Sequence, residues 1–507
     1  MMITRKYKNE YLIIAIFIAI DLVLHLIADS NSGYHCDELL HIDSGRHPAF
    51  GFMDFGPMIS YFAFIQNLFQ SDYILINHLF VHLATALIII LCGLITIELG
   101  GKELAVFLTL SCILFAPGLN ITHSLFLPVV FEQLAWVVCI YYLVKYCNTT
   151  DHRYLIWLGL FAALGFLSKY SIIFLIGGLF FSVLLFQINM LKKKALWIGV
   201  ILFSVLILPN VIWQFNNGLP VFHHFSELYK TQLDKLSFLQ ELKSLLNYLN
   251  PFTSIIWISG LLITPFVLKF RKYRLVPFTL LIAFILLIIA KGKAYYFFPI
   301  ILGTIPLGAV FFEQILQGRK WIALGYLSLL SLSGLALLPY GLPILPLESY
   351  IRLYHFKENN DKKIPLPFEN YYSRAIWDQI LTRVSDTYRN LPPAEQKSCF
   401  IWGRHYSQAG GINLLGKKYN LPPAFSFHSS CYNWVPEFSK DITVIGINDA
   451  NLEKDYWHQY FEEVDEVGLI NNPYATDYRW YTQHIYLCRR LKYDSNELKL
   501  LLKDKIF

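Results

Sequence analysis

Residues 11–28 read YLIIAIFIAIDLVLHLIA, an apolar run that follows Arg5, Lys6 and Lys8. About 20 such residues, each rising roughly 1.5 Å, cross the hydrocarbon core of a bilayer. A cleaved secretory signal has a shorter apolar stretch and a small-residue cleavage site. The run therefore reads as a retained first span, with Asp21 and His25 on one of its faces.

Outward from this run, apolar stretches recur at 73–98, 104–119, 124–146, 154–168, 171–188, 195–214, 251–269, 275–290, 295–315 and 321–338. The expectation is a polytopic α-helical membrane protein with about eleven spans. A further segment, 57–70, reads as half-embedded. Composition agrees: 55% of residues are hydrophobic and 15% charged, where soluble proteins carry roughly 25% charged residues. The deficit ends at LLPYGLPILPLESY (337–350), whose prolines close the last apolar run. This predicts a membrane region over 1–340 and a soluble domain over 341–507. In the latter, SCFIWG and ITVIGI read as buried strands, and YSQAGGINLLGKKY and NLEKDYWHQYF as helices. That alternation predicts a small α/β domain.

Basic residues set the orientation. Lys102, Arg153, Lys192–Lys194, Lys269–Arg274 and Arg319–Lys320 fall in alternate short loops. With the N-terminus cytoplasmic, these loops are cytoplasmic too. The long loops 30–72 and 215–250 and the C-terminal domain are then extracytoplasmic. The net charge of +6 is thus accounted for by topology and is no nucleic-acid signal. The eight cysteines show no metal-binding spacing. Among Cys399, Cys431 and Cys488 of the soluble domain at most one disulfide could form.

The first long loop carries most of the chemistry. Residues 31–63 read NSGYHCDELLHIDSGRHPAFGFMDFGPMISYFA, with adjacent carboxylates at Asp37 and Glu38 and a third at Asp54. A long ordered loop is usually functional, and a carboxylate at a membrane surface can act as a general base. The competing reading makes these residues solvated charges or helix caps. Glu132 sits inside a span, where an acid needs a polar cavity or a bonded neighbour. Lys169 lies at an external turn, against the positive-inside bias. With Tyr170 beside it, Lys169 is a candidate phosphate ligand; interfacial snorkelling is the alternative. Lys291 and Lys293, followed by Tyr295 and Tyr296, form a second phosphate candidate, and an aromatic belt is the alternative. Arg46 is a weaker one. Asp54, His223, His224 and His428 form a candidate metal set, although no ligand spacing is diagnostic. The second half of the 215–250 loop reads as an amphipathic helix lying on the membrane.

Five stretches in chain order carry a resemblance. They are GYHCDELLHI with GFMDFGP in the first loop, LGFLSKYSIIFL (164–175), LPNVIWQFNNGLPVFHHF (208–225), KGKAYYFFPIILGTIPLGA (291–309) and YSQAGGINLLGKKYNLPPAFSFHSSCYNWVP (406–436). They resemble the GT-C glycosyltransferases of the protein O-mannosyltransferase-like type. The likeness is greatest to the bacterial members, which include the lipid A aminoarabinose transferase. The chain departs from that pattern at Phe55–Gly56–Pro57, where a second proline is common, and at Glu132, where an aspartate is frequent.

The resemblance implies a GT-C fold and a hexosyl- or pentosyltransferase that uses a polyprenyl-phosphate sugar. Asp37 matches the family's catalytic aspartate, which takes the acceptor hydroxyl's proton, and Asp54 matches a second acidic position. The acceptor would be a lipid, a glycan or a protein. Besides the donor and acceptor, membrane lipids are the expected partners and nucleic acid is not. A lipid-monophosphate donor has no diphosphate to bridge, so no cofactor is required, with a divalent metal left open. The expected location is the bacterial inner (plasma) membrane. The alternatives are a transporter or flippase for a lipid-linked sugar and a non-catalytic binding subunit. Against a transporter, the polar residues gather near the external surface rather than at the midplane.

Overall fold

The computed structural model describes residues 7–449 and 456–503. The chain divides into two compact units: one holds the segment up to Ile27, Phe50–Met58 and His78–Ile344, the other Ala28–Ala49, Ile59–Asn77 and Leu345–Phe507.

The apolar runs of the sequence are largely helical, although 104–119 divides between two helices and 251–269 leaves its α-helix after Leu262. Among the described residues, six helices are long and apolar enough to cross a membrane: Lys8–Asn31, Leu79–Glu98, Pro128–Thr149, Lys194–Asn216, Ala294–Ile315 and Lys320–Gly341. Two further segments are bent pairs, Glu103–Leu114 with Pro117–His123 at 70° and Phe238–Tyr248 with Pro251–Phe266 at 119°. Both bends coincide with a proline at the start of a helix, because the residue before a proline is pushed out of the helical region. Three apolar helices are shorter: Arg153–Ser168, Tyr170–Phe186 and Leu275–Ile289. Between the first two of these, Lys169 alone adopts extended backbone, with φ −156° and ψ 130°.

Helices within this unit approach closely through small residues, as membrane helices do where no hydrophobic effect drives them together. A Cβ on Gly260 would lie 2.1 Å from the Thr304 carbonyl oxygen, and one on Gly308 would lie 2.0 Å from that of Ile256. The bundle has an inside and an outside. Of the most apolar window, 78% is buried in Pro128–Thr149 and in Ala294–Ile315, but 11% in Lys194–Asn216. On that last helix Trp197, Ile201, Val205 and Ile212 are exposed. So large an uncovered apolar surface fits lipid rather than water. The loop 215–250 holds two helices, Pro220–Thr231 and the amphipathic Phe238–Tyr248.

The second unit is built on a five-stranded mixed sheet. Its strands are β1 (Cys399–Gly403), β2 (Ala424–Phe425), β3 (Thr443–Asp449), β4 (Phe461–Asn471) and β5 (Thr482–Leu491), in the order β2-β1-β3-β5-β4. β2, β1 and β3 are parallel, and β5 and β4 run antiparallel. Trp402, Phe425, Phe427, Trp457, Tyr460 and Phe461 fill a core beside the sheet. The two expected strands are β1 and β3, and YSQAGGINLL is helix Tyr406–Leu415. The expected helix NLEKDYWHQYF is not one where it is described. Residues 451–455 lie outside the described residues, Trp457–Gln459 form a single tight turn, and Phe461 opens β4. All eight cysteines are free.

The first long loop contributes helix Cys36–Ser44 to the second unit. Gly33 and Tyr34 anchor its approach: the Gly33 N–H donates to the Asn370 carbonyl at 2.8 Å, and the Tyr34 hydroxyl to that of Asp72 at 2.8 Å. A Cβ on Gly33 would lie 2.1 Å from the Arg374 nitrogen, so only glycine fits.

Candidate active site

In the second unit, Asp37 stands in the first turn of helix Cys36–Ser44, where the helix dipole favours a carboxylate. His35 caps this helix. Its Nδ1 accepts the Asp37 N–H at 3.2 Å, while Glu38 Oε2 accepts the His35 N–H at 2.8 Å. Glu38 is fully buried in this capping box, so the local structure accounts for its carboxylate. Tyr406 donates its hydroxyl to Asp37 Oδ1 at 2.6 Å. Tyr406 opens helix Tyr406–Leu415, which has the same construction: His405 caps it and Gln408 completes the box. The two helices pack through Gly410, where a Cβ would lie 2.4 Å from the Leu39 carbonyl oxygen.

Three more groups stand around Asp37 and Tyr406. Glu369 Oε1 accepts the Cys36 N–H at 2.9 Å, and its Oε2 lies 3.8 Å from His35 Nε2. Cys36 Sγ lies 3.6 Å from Asp37 Oδ1. His428 stacks on the Tyr406 ring at 4.9 Å and sits 4.6 Å from His405. Burial raises the Asp37 carboxyl, but His35, the Tyr406 hydroxyl, His41 and Cys36 outweigh it and hold the pKa below the usual range. Burial raises Glu369, with the Asp37 charge adding and His35 opposing. Burial, His428, Arg479 and Arg404 hold His405 well below its ordinary value, so it is neutral near pH 7. Asp37 is thus an ionised carboxylate, 43% exposed at its side chain and held in place from several sides. Arg46 pairs instead with Asp43 at 3.5 Å and donates to the Asn413 carbonyl.

The Tyr406 contact gives a pH test. Activity that needs ionised Asp37 is present above its lowered pKa and lost as pH falls through it. Tyr406→Phe removes a hydrogen bond to the charged form and raises that pKa. The acid limb of kcat/KM therefore moves to higher pH in Tyr406→Phe, and an unmoved limb refutes the contact's role.

The first unit holds a second cluster. Lys169 Nζ lies 3.6 Å from Glu132 Oε2, and the Ser171 hydroxyl donates to Glu132 Oε1 at 2.5 Å. The Lys169 ammonium also lies 4.8 Å and 4.4 Å from the ring centres of Tyr295 and Tyr296. Glu132 is nearly closed to solvent, whereas Lys169 keeps 21% of its side chain exposed. The extended backbone at Lys169 is what turns this side chain out between two helices.

Lys291 and Lys293 point elsewhere. Lys291 pairs with Asp234 at 2.7 Å, and Lys293 donates to Gln232. Beside Lys291, a cavity of about 290 Å³ is lined by Leu242, Leu245, Phe284, Ile288 and Phe297, with Glu241 as its acidic member.

Asp54 is half-buried in the loop Phe50–Met58. Two amides on helix Lys194–Asn216 hold that loop: Asn210 Nδ2 donates to the Phe50 carbonyl and Gln214 Nε2 to the Phe52 carbonyl, both at 2.9 Å. The Tyr170 hydroxyl donates to Asn210 Oδ1 at 3.3 Å. Tyr170 and His224 both lie within electrostatic reach of Asp54. Burial lowers the His224 pKa, with Asp54 opposing and Lys293 and His223 adding. Asp54, His223 and His224 do not place three ligand atoms around one point among the described residues. His428 belongs to the second unit, beside Tyr406.

Gly56 explains the departure at Phe55–Gly56–Pro57. A Cβ there would lie 2.2 Å from the Leu167 carbonyl oxygen, at the end of the helix that precedes Lys169. Gly56→Ala is expected to cost about 1–3 kcal/mol, measured as a lower melting temperature of the detergent-solubilised protein. An unchanged temperature refutes this packing.

Tyr406, Glu369, Asn210 and Gln214 were not singled out from sequence. Tyr406, Asn210 and Gln214 lie in the stretches 406–436 and 208–225 that carry the resemblance, which is the signal that could have found them. Glu369 lies in a proline-rich segment without periodicity and gives none.

The family described as dolichyl-phosphate-mannose-protein mannosyltransferase matches residues 47–213. That region contains Asp54, Glu132, Lys169, Tyr170 and Asn210 and begins after Asp37. No curated protein matches the chain. Among solved structures, the fold is similar to ArnT from Cupriavidus metallidurans bound to undecaprenyl phosphate. The TM-score is 0.59 at 13% identity, over 93% of this chain and 97% of that one. The apo state of the same protein gives 0.58 at 12% identity over the same shares. The Archaeoglobus fulgidus oligosaccharyltransferase tethered with an acceptor peptide containing the NVT sequon gives 0.50 at 14% identity, over 90% of this chain and 71% of that one. The chain shares the helical fold of these proteins, with a small sheet domain at its C-terminal end.

Proposed function

We propose that this chain is a membrane glycosyltransferase that moves a sugar from a polyprenyl-phosphate carrier to an acceptor hydroxyl, with Asp37 as general base. The observation that carries the reading is the Asp37 site: an ionised, solvent-reachable carboxylate at a helix N-terminus, oriented by Tyr406 at 2.6 Å.

In the proposed step the acceptor oxygen bonds to the anomeric carbon as the bond from that carbon to the phosphate oxygen breaks. The hydroxyl proton passes to Asp37, and the polyprenyl phosphate leaves. A carboxylate of low pKa is a weak base for a resting alcohol. It becomes adequate as the carbon–oxygen bond forms and the hydroxyl acidifies, and its charge favours an oxocarbenium-like transition state. Lys169, between Tyr295 and Tyr296, balances charge on the leaving phosphate, and Glu132 and Ser171 hold that lysine. Asp54, on its amide-pinned loop, orients acceptor or sugar. Glu38 acts through the helix cap that positions Asp37. The apolar cavity beside Lys291 suits part of the prenyl tail.

The fold shared with ArnT, whose structure contains undecaprenyl phosphate, supports a polyprenyl-phosphate donor. The acceptor is a lipid, glycan or protein. We place the site on the extracytoplasmic face of a bacterial inner membrane, from the lysines and arginines of alternate short loops.

Mass spectrometry of lipid extracts and envelope glycans, from cells with and without the gene, tests the reading. The expected result is an accumulated polyprenyl-phosphate sugar and one glycan lacking the matching residue. Unchanged lipids and glycans overturn it.

A further inference from the structure

The residues His35, Cys36 and Asp37 bring one nitrogen, one sulfur and one carboxylate oxygen within 4.8 Å of one another. Individual separations are shorter. Cys36 Sγ lies 3.7 Å from His35 Nδ1 and 3.6 Å from Asp37 Oδ1, and His35 Nδ1 lies 4.0 Å from Asp37 Oδ2. A tetrahedral zinc ion with ordinary bond lengths to sulfur, nitrogen and oxygen has ligand-to-ligand edges of roughly 3.3–3.6 Å. Sulfur meets Oδ1 and nitrogen meets Oδ2, so side-chain rotations that bring one carboxylate oxygen to both close such a site.

A second arrangement points the same way. A histidine that binds a metal through one ring nitrogen commonly presents the other to a carboxylate, which fixes the ring and raises its basicity. Here Nε2 of His35 faces Glu369 Oε2 at 3.8 Å. Solvent reaches the group: His35 and Glu369 keep 26% and 23% of their side chains exposed, and Cys36 is half-buried. Cys36 is distinct in this from the buried thiols at Cys92, Cys112 and Cys139.

We propose that His35, Cys36 and Asp37 form a site for a thiophilic divalent cation, zinc above all, with water in the fourth position. Binding releases the Cys36 thiol proton to solvent. It also takes the Nδ1 lone pair from the Asp37 N–H, which costs the helix its cap. A sulfur ligand selects zinc over magnesium or calcium. If Asp37 is the base of the proposed transfer, as this second part assumes, zinc ties up its lone pair and inhibits.

The test uses the full-length protein in detergent, titrated with Co²⁺ as a spectroscopic probe. The expected result is a thiolate-to-cobalt charge-transfer band that saturates at one equivalent, is displaced by Zn²⁺ and is untouched by Mg²⁺. Cys36→Ser is expected to lose the band and at least tenfold of the zinc affinity. In unsubstituted protein, Zn²⁺ slows alkylation at Cys36, as located by peptide mass spectrometry, so the result does not hang on one variant. No thiolate band, a band that survives Cys36→Ser, or alkylation indifferent to zinc overturns the site. In a transfer assay, zinc inhibits the unsubstituted protein, and Cys36→Ser resists at least tenfold more zinc. Inhibition equal in both overturns the inhibitory part. A Cys36-dependent band in a protein without transfer activity supports the site and removes the glycosyltransferase reading alone.

Discussion

Asp37→Asn is expected to lower kcat by about 10²–10⁴-fold, the usual contribution of a positioned general base. The substitution is nearly isosteric, and the amide oxygen still accepts the Tyr406 hydroxyl. Melting temperature and donor affinity are therefore expected to stay close to those of the unsubstituted protein. That pattern separates loss of a base from loss of structure. A variant that keeps full transfer activity removes Asp37 from the chemistry, and a variant that loses donor binding makes it a binding residue. Asp37→Glu is the useful companion. It restores a carboxylate but moves it about one bond length toward the acceptor, and partial recovery argues for the charge itself.

Lys169→Ala has two separable effects. It strips the cation that pairs with Glu132, an acid almost closed to solvent. Removing one member of a buried pair costs on the order of 3–5 kcal/mol, less whatever protonation of the survivor recovers. It also removes the charge proposed to meet the donor phosphate. The double variant Lys169→Ala with Glu132→Gln tells the two apart. Stability returns in the double variant because no uncompensated carboxylate remains, while the donor KM stays raised and the acceptor KM is little changed. If donor KM recovers together with stability, Lys169 only braces the bundle. If acceptor KM rises instead, the phosphate assignment fails.

How much of this was legible in the sequence follows from what each feature depends on. The apolar runs were legible because hydropathy needs no partner, and they are largely helical. Asp37 was legible as an acid after the first span, and Lys169 as a cation where topology disfavours one. The assignment of Lys291 and Lys293 rested on external charge followed by Tyr295 and Tyr296. Charge does not say which neighbour a flexible ammonium will find, and here these were Asp234 and Gln232. β4 escaped notice because FEEVDEVGLIN is an edge strand bristling with carboxylates, which deter further pairing and blur the alternation of a buried strand. Glu38 looked like half of a catalytic pair, but three-residue spacing from His35 makes it a capping partner. The helix expected over NLEKDYWHQYF shows the opposite error: aromatic spacing of three and four suits a helix, yet Trp457, Tyr460 and Phe461 fill the core beside the sheet.

Helix Lys194–Asn216 packs closely on helix Arg153–Ser168, where a Cβ on Gly199 would lie 2.5 Å from the Leu155 carbonyl oxygen, and Asn210 and Gln214 on it grip the backbone at Phe50 and Phe52. Its 23 residues make a rod about 35 Å long, uncovered along its outer face and tied at one end to the Asp54 loop. Such a rod leans more in a thin bilayer and stands straighter in a thick one. The hydrocarbon thickness around the protein is therefore expected to reach the Asp54 loop through this helix, so acyl-chain length in the host membrane becomes a setting on the loop's position.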